Sequence, residues 1–272
     1  RNYVTWGPTA QALSGLTFMS GLPGEESAGW GFSYMDHTGG FYGALAILMA
    51  LKHRNVSGEG QHLDISQVEA GIGMTGTAIL DFTVNGRPFR RDGMPPGNTA
   101  PDKKFAPHNS YKCKGVDRWC VIAVTNQKEW NSFSEAIGNP KWTTNKKFST
   151  MELRYQHQVK MDEKIGSWTR DKTPHEVMHH LQSFGVPAGA IQTPRERVEE
   201  DPQLKHRNFL PSVSHGELGD TRVEAMPMKL SETPWKLLSA SPLLSEHSAE
   251  IYMDLLGVSG ADFSSFLEEG IT

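Results

Sequence analysis

Cysteine is nearly absent from this sequence: Cys113 and Cys120 are the two among 272 residues. That excludes a fold stapled by disulfides, and their spacing fits no metal-binding motif. They flank a turn at Gly115-Val116-Asp117-Arg118 and could face each other across a hairpin. With no secretory signal in the sequence, reduced thiols packed as small apolar side chains are expected. Long apolar runs are also missing. The longest, Gly43 to Leu51, is far too short to span a bilayer, so no membrane partner is expected and a cytoplasmic location is. There is no basic surplus: 27 Lys and Arg stand against 31 Asp and Glu, a net charge of −4, and nothing favours a nucleic-acid partner. No internal repeat or low-complexity tract is present, and Asn55-Val56-Ser57, formally a glycosylation sequon, reads as a polar helix exit. What remains, with 37% hydrophobic and 21% charged residues, has the composition of an ordinary globular protein, long enough for one large domain or two small ones.

Residues 1–30 are glycine-spaced and read as a partial element followed by loops. A helix is predicted from Gly39 to Arg54, apolar nearly all round and therefore expected to be buried, with Lys52, His53 and Arg54 closing its last turn. Gln61 to Ser66 alternates, Leu63 and Ile65 against His62, Asp64 and Ser66, as a short strand does. A small-residue helix should follow over 67–82. Residues 85–106, rich in Pro, Gly and charge, read as a linker. A hairpin is expected over 110–124, and helices over 127–138, 150–169, 173–184 and 194–200. The helix over 173–184 has Thr173 as cap and Pro174 at its first position. Loops and short strands over 203–232 and a terminal helix over 247–256 complete the pattern.

Asp36, in Tyr34-Met35-Asp36-His37-Thr38-Gly39-Gly40 just before the most apolar helix, has two readings. The plain one is an N-cap accepting first-turn N–H groups. The chemical one uses the same place: the helix dipole favours an anion, adjacent glycines let a ligand approach closely, and the oxygen is a nucleophile. His175-Glu176-Val177-Met178-His179 spells the zinc-peptidase H-E-x-x-H, with Glu199 as a third ligand. The stripe Val177, Leu181 and Phe184 makes the same segment a plain amphipathic helix. Asp64 reads as a solvated carboxylate, Trp130, Trp142 and Trp168 as core, and Lys103, Lys104 and Lys112 as a surface cluster able to meet phosphates.

Taken together, several blocks resemble the class III CoA-transferase family (CaiB/BaiF). These are Asp36-His37-Thr38-Gly39-Gly40, the helix ending Leu51-Lys52-His53-Arg54, Ser57-Gly58-Glu59-Gly60-Gln61 and Asp64-Ile65-Ser66. Tyr111-Lys112-Cys113-Lys114-Gly115, Ala136-Ile137-Gly138 and Gly185-Val186-Pro187-Ala188-Gly189 continue the series. It ends in Glu200-Asp201-Pro202-Gln203-Leu204, Pro227-Met228-Lys229-Leu230 and Pro242 to His247. The blocks run in the family's order over nearly the whole sequence.

The resemblance implies an α/β fold: the C-terminal part of a CaiB/BaiF-type fold, with the remainder of a Rossmann-like large domain plus a small α+β domain. Residues 1–90 would belong to the large domain with the nucleophile, 91–105 to a linker, 106–190 to the small α+β domain and 191–272 to the return to the large one. It implies Asp36 as nucleophile on an acyl-CoA, through aspartyl anhydride and aspartyl-CoA thioester intermediates, with a carboxylic acid as acceptor. Substrate or CoA contacts fall on His37, Gly39, Gly40, Gly97, Asn98 and Gln127. No permanently bound cofactor and no metal are expected; coenzyme A enters as substrate. The family also holds α-methylacyl-CoA racemases, which typically carry a glutamate where this sequence reads Gln127 and Trp130, closer to the transferase pattern. Racemase-like epimerisation stands as the alternative.

Two departures stand out. Where formyl-CoA-type transferases carry a glycine run after Gly97-Asn98, this sequence has Thr99-Ala100-Pro101-Asp102-Lys103-Lys104. The family's N-terminal Rossmann-like half has no counterpart, so a fragment, or a separate chain supplying that half, is expected. Family members are homodimers interlocked like rings, and the same is expected here.

Overall fold

The computed structural model describes residues 4–100 and 102–271. They form two compact units, one ending at Ile191 and the other beginning at Gln192. Helix and strand are mixed, as the expected α/β class requires. Among the described residues no helix is long and apolar enough to cross a membrane.

The first unit opens with α1 (Gly7–Leu13), α2 (Leu16–Met19), α3 (Tyr34–Ser57), α4 (Gln67–Met74) and α5 (Gly76–Asn85). Ala10, Leu16, Met35 and Ala70 form a small core where α1, α2, α3 and α4 meet. Close approach requires small residues: a Cβ on Gly71 would stand 2.8 Å from Met35 Cε and 2.6 Å from Ser14 Cβ.

The long helix α3 differs from expectation in two ways. It begins at Tyr34, five residues before Gly39, because contacts with α1 and α4 hold Thr38, Gly39 and Gly40 in helical conformation despite their weak propensity. Asp36 is therefore a first-turn residue; Ser33 occupies the cap position, without a side-chain hydrogen bond. Nor is the helix buried all round. Its covered or half-covered stripe is Met35, Thr38, Gly39, Gly43, Ala46 and Ala50, while Phe41, Leu45, Leu48 and Met49 are exposed. Small residues let the neighbouring helices approach, so the large ones point the other way. Gly58, with φ 78°, ends the helix and returns its N–H to Arg54 O.

Residues 61–66 do not form the expected strand. They run as an unpaired connection, because alternation extends the chain but a strand also needs a backbone partner, and none pairs with it among the described residues. Ser66 instead caps α4, its Oγ accepting from Glu69 N at 3.2 Å. The expected helix over 67–82 is two, interrupted at Thr75 between Gly73 and Gly76, where the Thr75 hydroxyl donates to Ile72 O at 2.8 Å.

Residues 86–100 and 102–107 have little regular structure, yet Arg90 anchors the first of these stretches. The Arg90 guanidinium donates to Phe18 O, Glu25 O and Ser20 O at 2.8–2.9 Å, holding the segment against the α2–α3 connection.

The hairpin is as expected: β1 (His108–Lys112) pairs antiparallel with β2 (Trp119–Ala123), Tyr111 opposite Cys120. A third strand, β3 (Ala188–Ala190), pairs with β2 where the sequence suggested only a break in Val186-Pro187-Ala188-Gly189. Around the sheet lie α6 (Gln127–Ala136), α7 (Met151–Gln156), α8 (Gln158–Thr169) and α9 (Pro174–Ser183). The helix expected over 150–169 breaks at His157 into α7 and α8. Ile122, Val124, Trp130, Phe133, Met161, Ile165, Val177 and Leu181 fill the core, with Trp142 and Trp168 packed against it, as expected of the tryptophans. Cys113 and Cys120 are free and buried, and burial pushes both thiols up.

The second unit holds α10 (Pro194–Glu199), α11 (Pro202–His206), the pair β4 (Ser212–His215) and β5 (Gly219–Arg222), a π-helical turn at Glu250–Leu255, and α12 (Gly260–Glu268). Two features differ from the sequence pattern. Asp201 and Pro202 start α11, Asp201 Oδ1 accepting from Gln203 N and Leu204 N at 2.8 and 2.9 Å. The expected terminal helix is a π-helical turn, and Ser259 caps a further helix beyond it, setting Tyr252 against Phe263 and Phe266.

Candidate active site at the start of the long helix

The Asp36 carboxylate is exposed at the N-terminal turn of α3. Its Oδ1 accepts a 3.0 Å hydrogen bond from Gln67 Nε2, at the first position of α4. Its Oδ2 lies beside the buried Gly7 of α1, where an added Cβ would stand 2.8 Å from that oxygen and 2.5 Å from Ser33 Cβ. Gly39 is equally constrained: a Cβ there would stand 2.9 Å from Gln67 Cγ. Gly40 has open space around it. His37 is exposed, its ring 6.3 Å from Phe32, and Phe32 and Trp30 both pack edge-on to Tyr34. The site is thus a carboxylate on a helix N-terminus, with a bare glycine packed beside one oxygen and an amide donor on the other. Such a group can attack an electrophilic carbonyl carbon.

Gly97 and Asn98 form a second locus. Gly97 has φ 61°, and a Cβ would stand 3.0 Å from Pro23 Cδ, so both conformation and space call for glycine. The pair lines a cavity of about 610 Å³ over the sheet, with His108, Ser110, Ala123 and Pro187, and another of about 410 Å³ with Trp30 and Leu22. Asn98 Nδ2 donates to Asn109 Oδ1 at 3.2 Å and Ser110 Oγ at 3.0 Å, and Asn98 O is 2.7 Å from His108 Nδ1. Behind it, Asp162 of α8 accepts from Asn109 Nδ2 at 2.9 Å and Tyr111 Oη at 2.6 Å. Burial, and then the Asp162 charge, raise the Tyr111 phenol well above its ordinary range; burial also raises the Asp162 carboxyl. Among the residues standing in place of a glycine run, Lys104 N donates to Ala100 O at 2.7 Å and Lys104 Nζ pairs with Glu152 at 3.1 Å. Lys104 of the basic cluster is therefore held by a carboxylate.

Gln127 lies elsewhere. Its Oε1 accepts from Arg154 Nη1 at 3.1 Å and its Nε2 donates to Asn131 Oδ1 at 3.0 Å. Arg154 is buried, its guanidinium over Trp130 and donating to Ala106 O and Phe148 O, and burial lowers its pKa to about 10.

The H-E-x-x-H segment opens α9 within a capping box. Glu176 accepts from Thr173 N at 2.7 Å and Thr173 Oγ1 at 2.9 Å, and those bonds hold its carboxyl below the ordinary range. The general base of the peptidase pattern is thus committed to the helix start. No group of three His, Cys, Asp or Glu is placed to hold a metal ion among the described residues.

Sequence reasoning missed Gly7, Gln67, Asn109 and Asp162. Gln67 is one polar residue at a helix start, and nothing local tells that it reaches a carboxylate 31 positions earlier. The Gly7-Pro8 pair marks a helix entrance without showing what lies against it.

The profile of the CoA-transferase family III matches residues 1–248. The sequence is 29% identical over 264 residues to a succinyl-CoA–D-citramalate CoA-transferase of Chloroflexus aurantiacus, covering 97% of this chain and 64% of that protein. It is 25% identical to the succinyl-CoA–L-malate CoA-transferase beta subunit of the same organism, covering 92% of this chain and 60% of that one. The crystal structure of a CAIB/BAIF family protein from Brucella suis superposes with a TM-score of 0.81 at 25% identity, covering 93% of this chain and 63% of the other. The chain thus spans a little under two thirds of the length of these relatives. With a profile match over most of its length and the fold shared, this chain belongs to the CoA-transferase family III.

Proposed function

We propose that this chain carries the nucleophile of a CoA-transferase that moves CoA from an acyl-CoA donor to a carboxylic acid acceptor. The observation that carries the reading is the exposed Asp36 carboxylate at the α3 N-terminus, with one oxygen bound by Gln67 and the other beside a residue without a side chain. Asp36 attacks the thioester carbonyl carbon, the C–S bond breaks, and CoA leaves as thiolate from a mixed anhydride. The thiolate then attacks the aspartyl carbonyl, releasing the donor acid and leaving an aspartyl-CoA thioester. The acceptor carboxylate attacks that thioester, CoA leaves again, and its attack on the acceptor carbonyl yields the new acyl-CoA and restores Asp36. His37, Gly39 and Gly40 flank the reacting carboxylate; Gly97 and Asn98 offer a wall for the substrate. A Gln127 contact with substrate would replace its Asn131 bond.

The assembly belongs to the same proposal. Phe41, Leu45 and Leu48, three and four residues apart on one face of α3, are 73%, 54% and 65% exposed. An apolar face of that kind marks an interface, and the interlocked homodimer of the resemblance, or a separate chain supplying the N-terminal half, would cover it.

Trapping tests the chemistry. Incubation with acyl-CoA and hydroxylamine should leave a hydroxamate on Asp36, visible by mass spectrometry, and Asp36→Ala should abolish transfer. Transfer that survives Asp36→Ala, with no modification of the wild type, would overturn the mechanism. Solvent deuterium entering the acyl α-carbon without an acceptor acid would instead indicate epimerisation.

A further inference from the structure

We infer that Gln67 is a positioning residue for Asp36, and that Oδ2 is the oxygen that attacks the thioester; this rests on the reading of Asp36 as nucleophile. The two carboxylate oxygens are not equivalent. Oδ1 is held by Gln67 Nε2 at 3.0 Å, and an oxygen that accepts an amide hydrogen has one lone pair committed and its charge partly drawn off. Oδ2 has no hydrogen-bond partner among the described residues and adjoins Gly7, whose missing Cβ would stand 2.8 Å away.

The amide itself is placed with care. Gln67 is half-buried at the first position of α4, immediately after the capping residue Ser66, so its backbone is fixed by the helix start. Its side chain passes over Gly39, where any Cβ would collide with Cγ at 2.9 Å. The bare Cα of Gly39 thus lets the glutamine stem lie against α3 and reach back one turn to Asp36. Gly7 and Gly39 together leave one orientation of the carboxylate, with an amide donor on Oδ1 and no hydrogen bond on Oδ2, which packs against the bare Cα of Gly7. Fixing the carboxylate plane removes the rotations that would otherwise be lost in reaching the transition state. As the aspartyl group becomes an acyl in the anhydride, Oδ1 becomes its carbonyl oxygen. The same amide then faces the oxyanion that forms when CoA thiolate attacks.

Two substitutions at Gln67 separate a donor from a filler of space. Gln67→Leu keeps bulk without a donor. Gln67→Glu keeps the shape, removes the donor at neutral pH and sets a second carboxylate against Asp36. For a positioning donor, the rate of Asp36 modification in a single turnover should fall roughly 10- to 100-fold in Gln67→Leu and further in Gln67→Glu, with KM for acyl-CoA little changed. A packing role alone predicts the opposite order, the isosteric Gln67→Glu retaining more activity than Gln67→Leu. That order, or wild-type rates in both variants with Asp36 still modified, would overturn the role of Gln67 and leave the nucleophile standing. No modification of Asp36 in the wild type would overturn both.

Discussion

At the scale of single residues, the site is shaped by side chains that are missing. Gly7, Gly39 and Gly40 surround Asp36, but they differ: the first two have no space for a methyl group, and the third has. Gly40→Ala should therefore stabilise the protein by about 0.5–1 kcal/mol, the gain of alanine over glycine within a helix, while weakening acyl-CoA binding. Thermal melts and KM measured on the same preparation check both. Gly7→Ala should lower the melting temperature and slow Asp36 modification together, because the new methyl group meets Ser33 and Asp36 Oδ2. Arg154 is the opposite case, a large charged side chain wholly buried. Its donors satisfy Ala106 O and Phe148 O, so Arg154→Met strands two carbonyls while relieving a desolvated charge. The net loss should be roughly 2 kcal/mol in denaturant unfolding. Asp36 stood out in the sequence because its place before an apolar helix and paired glycines is a local property. Gln67 and Gly7 did not, since each matters only through a residue distant in sequence.

At the scale of elements, helix starts follow local rules. Thr173 and Glu176 close a reciprocal capping box at α9, and Thr193 with Glu196 does the same at α10. Thr173→Ala should cost about 1 kcal/mol. The folded Glu176 carboxyl lies below its ordinary value, because Thr173 donates to its anion. That contribution is therefore present above the ordinary glutamate range and lost as pH falls through the folded value. The difference between Thr173→Ala and wild type should shrink in melts run at about pH 3 relative to neutral pH. Helix ends and caps were readable from such signals, whereas β3 was not. Three small residues carry no strand pattern of their own, and only the open edge of β2 makes them one. Residues 61–66 show the converse, a full alternation left without a partner.

At the scale of the molecule, the disposition of α3 is the main consequence of folding. Turning its small residues inward brings Asp36, Gln67 and Gly7 together, and the same turn leaves Phe41, Leu45 and Leu48 outside. If that face is an interface between copies, the protein should sediment as a dimer, and Leu45→Glu with Leu48→Glu should yield monomers with reduced transfer. A wild-type monomer with full activity would remove the dimer from the reading. Arg90 acts over a similar range, tying its own stretch to the loop that carries Leu22 and Trp30, which share a cavity wall with Gly97.

The sequence by itself determined the family, the position of the candidate nucleophile, the hairpin and most helix starts. Each of those is written in residues near one another: a cap three positions from its partner, a glycine at a helix end, a block of motif. The tertiary structure alone decided that Asp36 lies inside the first turn of its helix rather than capping it. It also decided that Gln67 binds Asp36, that Glu176 closes its capping box with Thr173, and that α3 hides its small residues and shows its large ones. Those outcomes depend on which surfaces meet across long stretches of sequence. There, steric fit between helices outweighs the propensities of the residues involved.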